Sequence, residues 1–216
     1  MKLIGLGAGG HAKVVIEILQ LMGQYELMGL LDPLEELWGT DVLGIPVLGD
    51  DSFLPELYDQ GVRGAFIGVG AVGNTQSRIR LYENVCQQGF RLVDAIHPQA
   101  IISPSARLGD GPTIMAGSVI NAKAALGNDV IINTGAIVEH DCLLGDHVHI
   151  ATGAQLAGGV RVGDGAHIGM GASIRQGITI GSGVIVGAGA VVVKDVAPDL
   201  IVTGVPASPL QKNDID

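Results

Sequence analysis

The sequence predicts an α/β domain over residues 1–94, followed by an all-β solenoid over residues 95–216. Two features of the residue order predict this division. Up to residue 94, short β-branched or leucine-rich runs alternate with amphipathic segments, as they do in βαβ units on a parallel sheet. After residue 94, aliphatic residues recur with a period of six. The composition agrees, because 34 glycines and only 3% aromatic residues suit a chain of tight corners.

The alternation in the first domain predicts the positions of its strands and helices. The strands are residues 2–7, 26–32, 45–48 and 64–70, and the helices are residues 11–22 and 75–88, with one more helix between residues 39 and 60. Because strands and helices alternate along the chain, the strands are expected to lie parallel in one sheet.

The second domain repeats every six residues. From residue 96 to residue 192, every sixth residue is Ile, Leu or Val, in seventeen successive positions without an insertion. Four residues after each of these anchors, the side chain is small or β-branched, which gives a second inward position. Chance does not explain such a run. Short strands joined by corners every six residues build a three-sided solenoid of nearly six coils.

Charge and hydropathy exclude several classes of function. The 12 basic and 22 acidic residues give a net charge of −10, which disfavours binding to nucleic acids and to anionic membranes. The most apolar run, residues 184–193, is about half as long as a membrane span. The amino terminus leads directly into a glycine loop without the apolar core of a signal peptide, so a cytoplasmic location is expected. Cys86 and Cys142 show neither metal-binding spacing nor a disulfide framework.

Glu139, His140 and Asp141 place one imidazole between two carboxylates in the solenoid. Histidine titrates near neutral pH, and an adjacent carboxylate orients its ring and raises its basicity. His140 is therefore a candidate general base, with Asp141 as the group that orients it. The alternative interpretation is a solvated surface histidine beside two acids.

The glycine-rich segment from Gly5 to His11 follows the first predicted strand and opens the first helix, a geometry that presents backbone N–H groups to a phosphate. Asp32 ends the second strand, 22 residues after Gly10. Taken literally, this is a dinucleotide fingerprint, with Asp32 on a ribose hydroxyl and NAD as the ligand. A domain of fewer than 95 residues is about half of a full dinucleotide-binding fold, which argues against NAD.

The hexads resemble the left-handed β-helix of hexapeptide-repeat acyltransferases. The segment from Gly7 to Val15 resembles the amino-terminal domain of one group among them, the sialic acid O-acetyltransferases and the bacillosamine- and perosamine-type nucleotide-aminosugar N-acetyltransferases. The resemblance implies a Rossmann-like nucleotide-sugar-binding domain followed by a left-handed parallel β-helix, although general connection rules favour the right hand. It also implies a homotrimer whose active sites lie between neighbouring prisms, with acetyl-CoA as co-substrate and no metal.

The resemblance further implies roles for single residues. His140 and Asp141 match the group's catalytic pair, and the Gly158 N–H is expected to polarise the thioester carbonyl, with a plain corner as the alternative. His149 and His167 are one coil apart and are expected to stack, with His149 near the thioester and His167 structural. The expected acetyl-CoA contacts are His149, Gly158, Met170, Gly187 and Ala188; the expected substrate contacts are Gly9, Gly10, His11, Asp32, Gly68 and Gly70, and residues 74–78 fit the same pattern.

The expected function is acetyl-CoA-dependent N-acetylation of the amino group, at C4, of a nucleotide-linked amino sugar in surface-glycan synthesis. His140 would act as general base, and the amine would attack the thioester directly. One departure from the group concerns the CoA diphosphate, because Ser208 stands where members often have a basic residue and the next cation is Lys212. The alternatives are a sugar or sialic acid O-acetyltransferase and, from another class, an NAD-binding or scaffold protein.

Overall fold

A computed structural model describes residues 1–71, 73 and 75–210 of the chain. Asn74 and Lys212, which the sequence associates with substrate and CoA binding, lie outside the described residues. The chain forms two compact units, of which the first is Met1–Pro98 and the second begins at Gln99.

The first unit is built around a six-stranded sheet with the strand order β3-β4-β2-β1-β5-β6. Its elements are β1 (Lys2–Leu6), α1 (Gly10–Met22), β2 (Glu26–Leu31), β3 (Asp41–Val42), β4 (Ile45–Gly49), α2 (Leu54–Asp59), β5 (Gly64–Ile67), α3 (Gln76–Gln87) and β6 (Arg91–Leu92), with short 3₁₀ turns at Glu35–Leu37 and Asp51–Phe53. All neighbouring strands pair in parallel except β3 and β4, which form an antiparallel hairpin. The core of this unit lies between the sheet and its helices, where residues such as Ile4, Leu31 and Val85 are buried.

The strands and helices predicted in the first unit are present, with differences at their ends. The largest difference is at β5, which ends at Ile67 and not at residue 70. The Gly68 N–H still donates to the Leu6 carbonyl at 2.7 Å, whereas the carbonyl of Val69 accepts a hydrogen bond from the side chain of Arg78 at 2.7 Å and not from a strand. The two-residue strands β3 and β6 were not predicted, since so short a strand has no detectable alternation.

The second unit is a three-sided parallel β-helix, and its strands from β8 to β22 end on the predicted anchors. The strands that follow β6 are β7 (Ala95–Ile96), β8 (Ile101–Ile102), β9 (Thr113–Ile114), β10 (Val119–Ile120), β11 (Ala125–Leu126), β12 (Ile131–Ile132), β13 (Ile137–Val138), β14 (Leu143–Leu144), β15 (His149–Ile150), β16 (Gln155–Leu156), β17 (Arg161–Val162), β18 (His167–Ile168), β19 (Ser173–Ile174), β20 (Thr179–Ile180), β21 (Ile185–Val186), β22 (Val191–Val192), β23 (Ile201–Thr203) and β24 (Ser208–Pro209). The anchor Leu108 lies outside a strand, because the chain there makes only an isolated bridge between Arg107 and Ala125.

The strands stack into three faces. Face 1 holds β8, β10, β13, β16, β19 and β22, face 2 holds β11, β14, β17 and β20, and face 3 holds β9, β12, β15, β18, β21 and β23. Partners in neighbouring coils are eighteen residues apart, as Ile132 and Ile150 show. Every anchor from Ile114 to Val192 is buried, so the aliphatic column fills the inside of the prism.

Three corners join the faces, and each is named here by one of its residues. The His140 corner joins face 1 to face 2 and contains residues 122–123, 140–141, 158–159 and 176–177. The His147 corner joins face 2 to face 3 and contains residues 128–129, 146–147, 164–165 and 182–183. The Met170 corner joins face 3 to face 1 and contains residues 116–117, 134–135, 152–153, 170–171 and 188–189. The second corner residue has a positive φ and is mostly glycine. Non-glycine exceptions include Asp129, Asp141 and His147.

In the part of the chain that the structure describes, none of the helices combines the length and the apolarity that a membrane span requires.

The two neighbouring leucines of β14 test whether successive side chains of a strand point alternately into and out of the prism. Leu144 is an anchor with 5% of its surface exposed, whereas Leu143 points outwards and is 37% exposed. We expect Leu144→Ala to lower the free energy of unfolding by about 3 kcal/mol, because it leaves a cavity in the prism. The matched variant Leu143→Ala is expected to cost less than about 1 kcal/mol. Urea unfolding followed by circular dichroism measures both, and equal losses would contradict the alternation.

Candidate active site

His140 and Asp141 form an exposed pair at the His140 corner. His140 Nδ1 lies 2.9 Å from Asp141 Oδ2, and the two side chains are 57% and 59% exposed. A proton on Nδ1 completes this hydrogen bond and leaves the lone pair on Nε2, which makes Nε2 the basic nitrogen. The pair therefore has the arrangement of a general base with a carboxylate that orients it.

The backbone conformation of Asp141 positions its carboxylate. Asp141 occupies the second corner position with φ 60°, where Gly159 and Gly177 follow in the next coils with φ 69° and 70°. Left-handed backbone is costly for most residues with a Cβ, and Asp and Asn tolerate it better than most. The residue type at this corner is consistent with both the backbone requirement and the need for a carboxylate beside the imidazole.

Glu139, the other acid of the segment, contacts the backbone of the corner. Its Oε2 accepts a hydrogen bond from the His140 backbone N–H at 3.2 Å. Among the described residues, the ring of His140 forms its hydrogen bond with Asp141 and not with Glu139. Asp141 is therefore the acid in position to orient the imidazole, as the sequence predicts.

Gly158 lies directly beside the imidazole, one coil beyond His140. A Cβ added to Gly158 would be 2.6 Å from both Cε1 and Nε2 of His140, so the ring occupies the space that a side chain would need. The two coils are joined here by the Gly159 N–H, which donates to the His140 carbonyl at 2.9 Å. Nε2 is thus held next to the backbone of Gly158.

The backbone N–H of Gly158 has no acceptor within residues 1–71, 73 and 75–210. At the His147 corner the corresponding N–H groups are used differently. The N–H groups of Asp110, Asn128 and Asp146 each donate to the Oδ1 of the Asn or Asp side chain one coil further, at 2.9, 2.6 and 2.9 Å. The His140 corner therefore offers a backbone donor to a ligand beside the basic nitrogen.

A second histidine–aspartate pair, which the sequence reasoning missed, lies at the His147 corner. His147 Nδ1 is 3.0 Å from Asp129 Oδ2, and the Asp129 side chain is fully buried. The two residues are eighteen positions apart and both have positive φ, so the same column rule that placed Gly158 beside His140 would have found them. The burial of the Asp129–His147 pair suits a link between coils, whereas the exposure of the His140–Asp141 pair suits catalysis.

Cys142 follows the pair by one residue and points into the prism. It is buried, and its Sγ donates to the Ala157 carbonyl at 3.3 Å. Burial raises the pKa of the Cys142 thiol, which disfavours the thiolate that a nucleophile or a metal ligand needs. In residues 1–71, 73 and 75–210, no group of three or more His, Cys, Asp or Glu side chains could hold a metal ion.

His149 and His167 lie next to each other in successive coils of face 3, as predicted, and their rings meet edge to face. Their ring centroids are 4.8 Å apart with an interplanar angle of 72°, and both residues are buried. His149 Nε2 lies 3.3 Å from Asn133 Nδ2. Face 3 is the face opposite the His140 corner, so a single prism does not bring His149 to His140.

Met170, Gly187 and Ala188 come together at the Met170 corner, at the other edge of face 1 from His140. Met170 is 60% exposed. A Cβ on the preceding Gly169 would approach the backbone of Gly187 and Ala188 to less than 3 Å, so successive coils are in close contact there. Gly187 has a packing reason of its own, because a Cβ there would lie 2.7 Å from Thr203 Cγ2.

In the first unit, Gly9 and Gly10 stand at the amino end of α1. A Cβ at either position would meet nothing within 4 Å, and neither residue has positive φ. Neither packing nor backbone conformation therefore requires these glycines, and their contact with a ligand at the helix N-terminus stays a prediction. Gly70 lies near His11, since a Cβ on Gly70 would be 3.8 Å from His11 Cβ.

Gly68 is required by packing of the chain on itself. A Cβ there would lie 2.6 Å from the Gly7 carbonyl oxygen and 2.9 Å from Ala12 Cβ. The two glycine segments after β1 and β5 are therefore in direct contact. The expected contact of Gly68 with substrate remains a prediction.

Asp32 fixes the first glycine loop. Its Oδ2 accepts a hydrogen bond from the Ala8 N–H at 2.8 Å, and its Oδ1 accepts one from the Leu34 N–H at 3.0 Å. These two contacts hold the carboxylate at the end of β2. The expected contact with a nucleoside would use the lone pairs that these hydrogen bonds leave open.

A cavity of about 760 Å³ opens beside this loop. Its walls come from the carboxyl ends of the strands and from one side of α3. The polar residues that line it are Asp32, Asp50, Asp51, Ser52, Ser77, Arg80 and Asn84. In open parallel sheets this edge is the usual place for a nucleotide.

The two parts of the chain match known families. Residues 2–85 match the PglD N-terminal domain family. Residues 159–194 match the bacterial transferase hexapeptide (six repeats), and residues 135–176 match the hexapeptide repeat of succinyl-transferase.

Solved structures match the whole chain. Perosamine N-acetyltransferase from Caulobacter crescentus, in complex with CoA and GDP-perosamine, is 44% identical over 98% of each chain, with a TM-score of 0.91. The acetyltransferase domain of PglB from Neisseria gonorrhoeae FA1090, in complex with acetyl coenzyme A, is 42% identical over 97% of this chain and 98% of that chain, with a TM-score of 0.88. WeeI from Acinetobacter baumannii AYE is 27% identical over 97% of this chain and 100% of that chain, with a TM-score of 0.75.

These matches confirm the predicted fold class. The identity to the Caulobacter and Neisseria proteins extends over nearly the full length of both chains, so it covers the glycine loop and the hexads together. The protein belongs to the hexapeptide-repeat acetyltransferases of the nucleotide-aminosugar N-acetyltransferase group, with a Rossmann-like amino-terminal domain followed by a left-handed parallel β-helix.

Proposed function

We propose that the protein transfers the acetyl group of acetyl-CoA to the amino group, at C4, of a nucleotide-linked amino sugar in surface-glycan synthesis. The observation that carries the proposal is the exposed His140–Asp141 pair beside the open N–H of Gly158. The Caulobacter relative was solved with CoA and GDP-perosamine, and the Neisseria relative with acetyl coenzyme A. Both relatives support this choice of donor, and the first supports a nucleotide-linked amino sugar as acceptor.

The proposed mechanism is direct transfer. The amino nitrogen of the sugar attacks the thioester carbonyl, and His140 Nε2 takes the proton that the nitrogen loses. Asp141 stabilises the resulting imidazolium through Nδ1, and the Gly158 N–H donates to the oxyanion. The carbon–sulfur bond then breaks, and the CoA sulfur takes the proton back from His140. No acyl-enzyme forms, which agrees with the burial of Cys142 and the raised pKa of its thiol.

Each domain contributes one substrate in this proposal. Residues 1–94 hold the nucleotide, with Gly9, Gly10 and His11 at the phosphates, Asp32 on the nucleoside, and Gly68 and Gly70 near the sugar. Residues 95–216 hold acetyl-CoA, with Gly158 at the thioester, His149 close to it, and Met170, Gly187 and Ala188 along the pantetheine arm. Met170 and Gly158 lie at the two edges of face 1, so an arm that joins them would cross that face.

We also propose that the active protein is a homotrimer located in the cytoplasm. The His140 corner is opposite face 3, which carries His149, so one prism cannot place both beside a single thioester. A neighbouring prism that presents its own face 3, or the edge of that face, to the His140 corner would complete the site. Cyclic homo-oligomers repeat such a contact around a closed ring.

The first experiment measures CoA release from acetyl-CoA with GDP-, UDP- and dTDP-linked 4-amino sugars, and with free sialic acid as the hydroxyl acceptor for comparison. A separate titration measures whether the protein binds NAD. We expect release with a 4-amino nucleotide sugar and a loss of at least about 100-fold in kcat for His140→Ala, because the base is removed. Cys142→Ala, two residues away, is the matched control and should keep wild-type activity. Wild-type turnover of the His140 variant would refute the mechanism, and release only with a hydroxyl acceptor would replace N- with O-acetylation.

Gly158→Ala tests the contact between Gly158 and the imidazole. The added methyl group would collide with Cε1 and Nε2, so the ring must move away from its position. A displacement of about 1 Å can cost about 100-fold in rate, and we expect that loss in kcat. Steady-state kinetics should show it while the melting temperature changes little. An unchanged kcat would show that the position of the ring beside Gly158 does not matter for turnover.

Light scattering tests the assembly. We expect a mass three times that of one chain at micromolar concentration, because a single prism lacks half of the proposed site. Mixing inactive His140→Ala protein with an inactive His149→Asn variant, after dissociation and reassembly, should restore part of the activity if neighbouring copies share the site. A monomer with full activity would overturn the proposal.

A further inference from the structure

The cavity of the first unit also carries information about the nucleotide base. We infer that Asp51, together with Arg80, selects guanine as the base of the nucleotide sugar. This inference rests on the proposed function, since it assumes that a nucleoside diphosphate occupies the cavity.

The order of the strands gives the cavity a direction. The strands β5, β1, β2 and β4 are neighbours in this order, and each ends at the wall of the cavity. At about 4.8 Å per strand, the distance from the glycine segments after β5 and β1 to the end of β4 is about 10–14 Å. A nucleoside diphosphate spans a similar distance from its phosphates to its base.

Charge decides which end of the nucleotide lies where. The glycine segment after β1 offers backbone N–H groups at the amino end of α1, which favours the diphosphate. Asp32 follows β2, and Asp50 and Asp51 follow β4, so carboxylates stand at the other end. Because carboxylates repel a diphosphate, the ribose lies near Asp32 and the base lies near the end of β4.

Of the two carboxylates at the end of β4, Asp51 is the one with an oxygen that can accept a hydrogen bond from the base. Asp50 Oδ1 accepts the Ser52 N–H at 2.9 Å, which caps the following turn. Asp51 Oδ2 accepts a hydrogen bond from Asn84 Nδ2 at 3.3 Å, and within the described residues Oδ1 of Asp51 has no donor. Partial burial raises the pKa of Asp51, with the Asn84 hydrogen bond opposing part of the rise.

The orientation of Asn84 is itself fixed. Its Oδ1 accepts a hydrogen bond from Gln88 Nε2 at 2.9 Å, one helical turn further along, which directs the amide nitrogen to Asp51. Asn84 therefore holds the Asp51 carboxylate in place from α3. The same side of α3 carries Arg80, which also lines the cavity and lies one helical turn before Asn84, the residue that holds Asp51.

Guanine matches this pair of groups. Its N1–H and N2–H₂ are adjacent donors, which Oδ1 of Asp51 and the second lone pair of Oδ2 can accept together. Its O6 and N7 are acceptors that a guanidinium can contact together. Uracil and thymine present a single N–H between two carbonyl oxygens, and a carboxylate would repel those oxygens. Adenine presents a ring acceptor in place of the N1–H. Asp51 and Arg80 therefore favour guanine over the other three bases.

Isothermal titration of the full-length protein with GDP, UDP, dTDP and ADP tests the inference. We expect GDP to bind at least about tenfold more tightly than the others, since a base that lacks the matching donors leaves a buried acceptor unpaired. Asp51→Asn should raise the dissociation constant of GDP by about tenfold or more, because the amide puts a donor against the N–H groups of guanine. The dissociation constant of UDP should stay within about twofold of the wild-type value. Asp59→Asn on α2, outside the cavity lining, is the matched control and should change neither.

The outcomes separate this inference from the proposed function. Tighter binding of UDP or dTDP, with acetylation of the corresponding 4-amino sugar, would overturn the guanine inference and keep the N-acetyltransferase. Equal weakening of all four nucleotides by Asp51→Asn, with a lower melting temperature, would make Asp51 a structural residue and would also overturn it. Absence of binding for every nucleoside diphosphate would overturn both.

Discussion

The eighteen-residue register of the β-helix is the constraint on which the second unit depends. Each coil consists of three hexads, and every anchor must point inwards to fill the prism, so no residue can be added or removed without turning later side chains away from the core. This register converts distance along the chain into position in space. It stacks Gly158 on His140 and His167 on His149, and it makes the corner positions of successive coils equivalent.

The core of the prism is filled by aliphatic side chains, so chemistry is confined to its corners and outer faces. Side chains at a corner can be exposed, as those of His140 and Asp141 are, and the backbone N–H of the first corner residue has no partner in the strand ladder. At the His147 corner, Asn and Asp side chains take up these N–H groups and a buried Asp129 binds His147, which joins the coils. At the His140 corner the N–H of Gly158 has no acceptor among the described residues, and the corner carries an exposed imidazole with its carboxylate. One backbone design thus supports a structural corner and a candidate catalytic one.

The first unit places its candidate residues by a different principle. Its polar side chains follow the carboxyl ends of parallel strands, and glycines let two loops approach each other where Gly68 touches Gly7. Arg78, almost fully buried, holds the carbonyls of Ile67 and Val69 and fixes the second of these loops. Asp32 fixes the first one through the Ala8 N–H. The cavity is therefore bounded by segments whose backbone is held by side chains.

The sequence by itself determined the two-part fold, the inward positions of the prism and the stacking of His149 on His167, because a strict period leaves one register. It also identified His140 and Asp141 as a candidate pair of base and orienting carboxylate, since adjacent residues at a corner must lie close together. Only the tertiary structure decided that the Asp129 carboxylate is fully buried, and that Asn84 holds Asp51 from 33 residues away. The first unit has no repeat that relates sequence distance to spatial distance, so contacts across its cavity depend on how helices pack on the sheet.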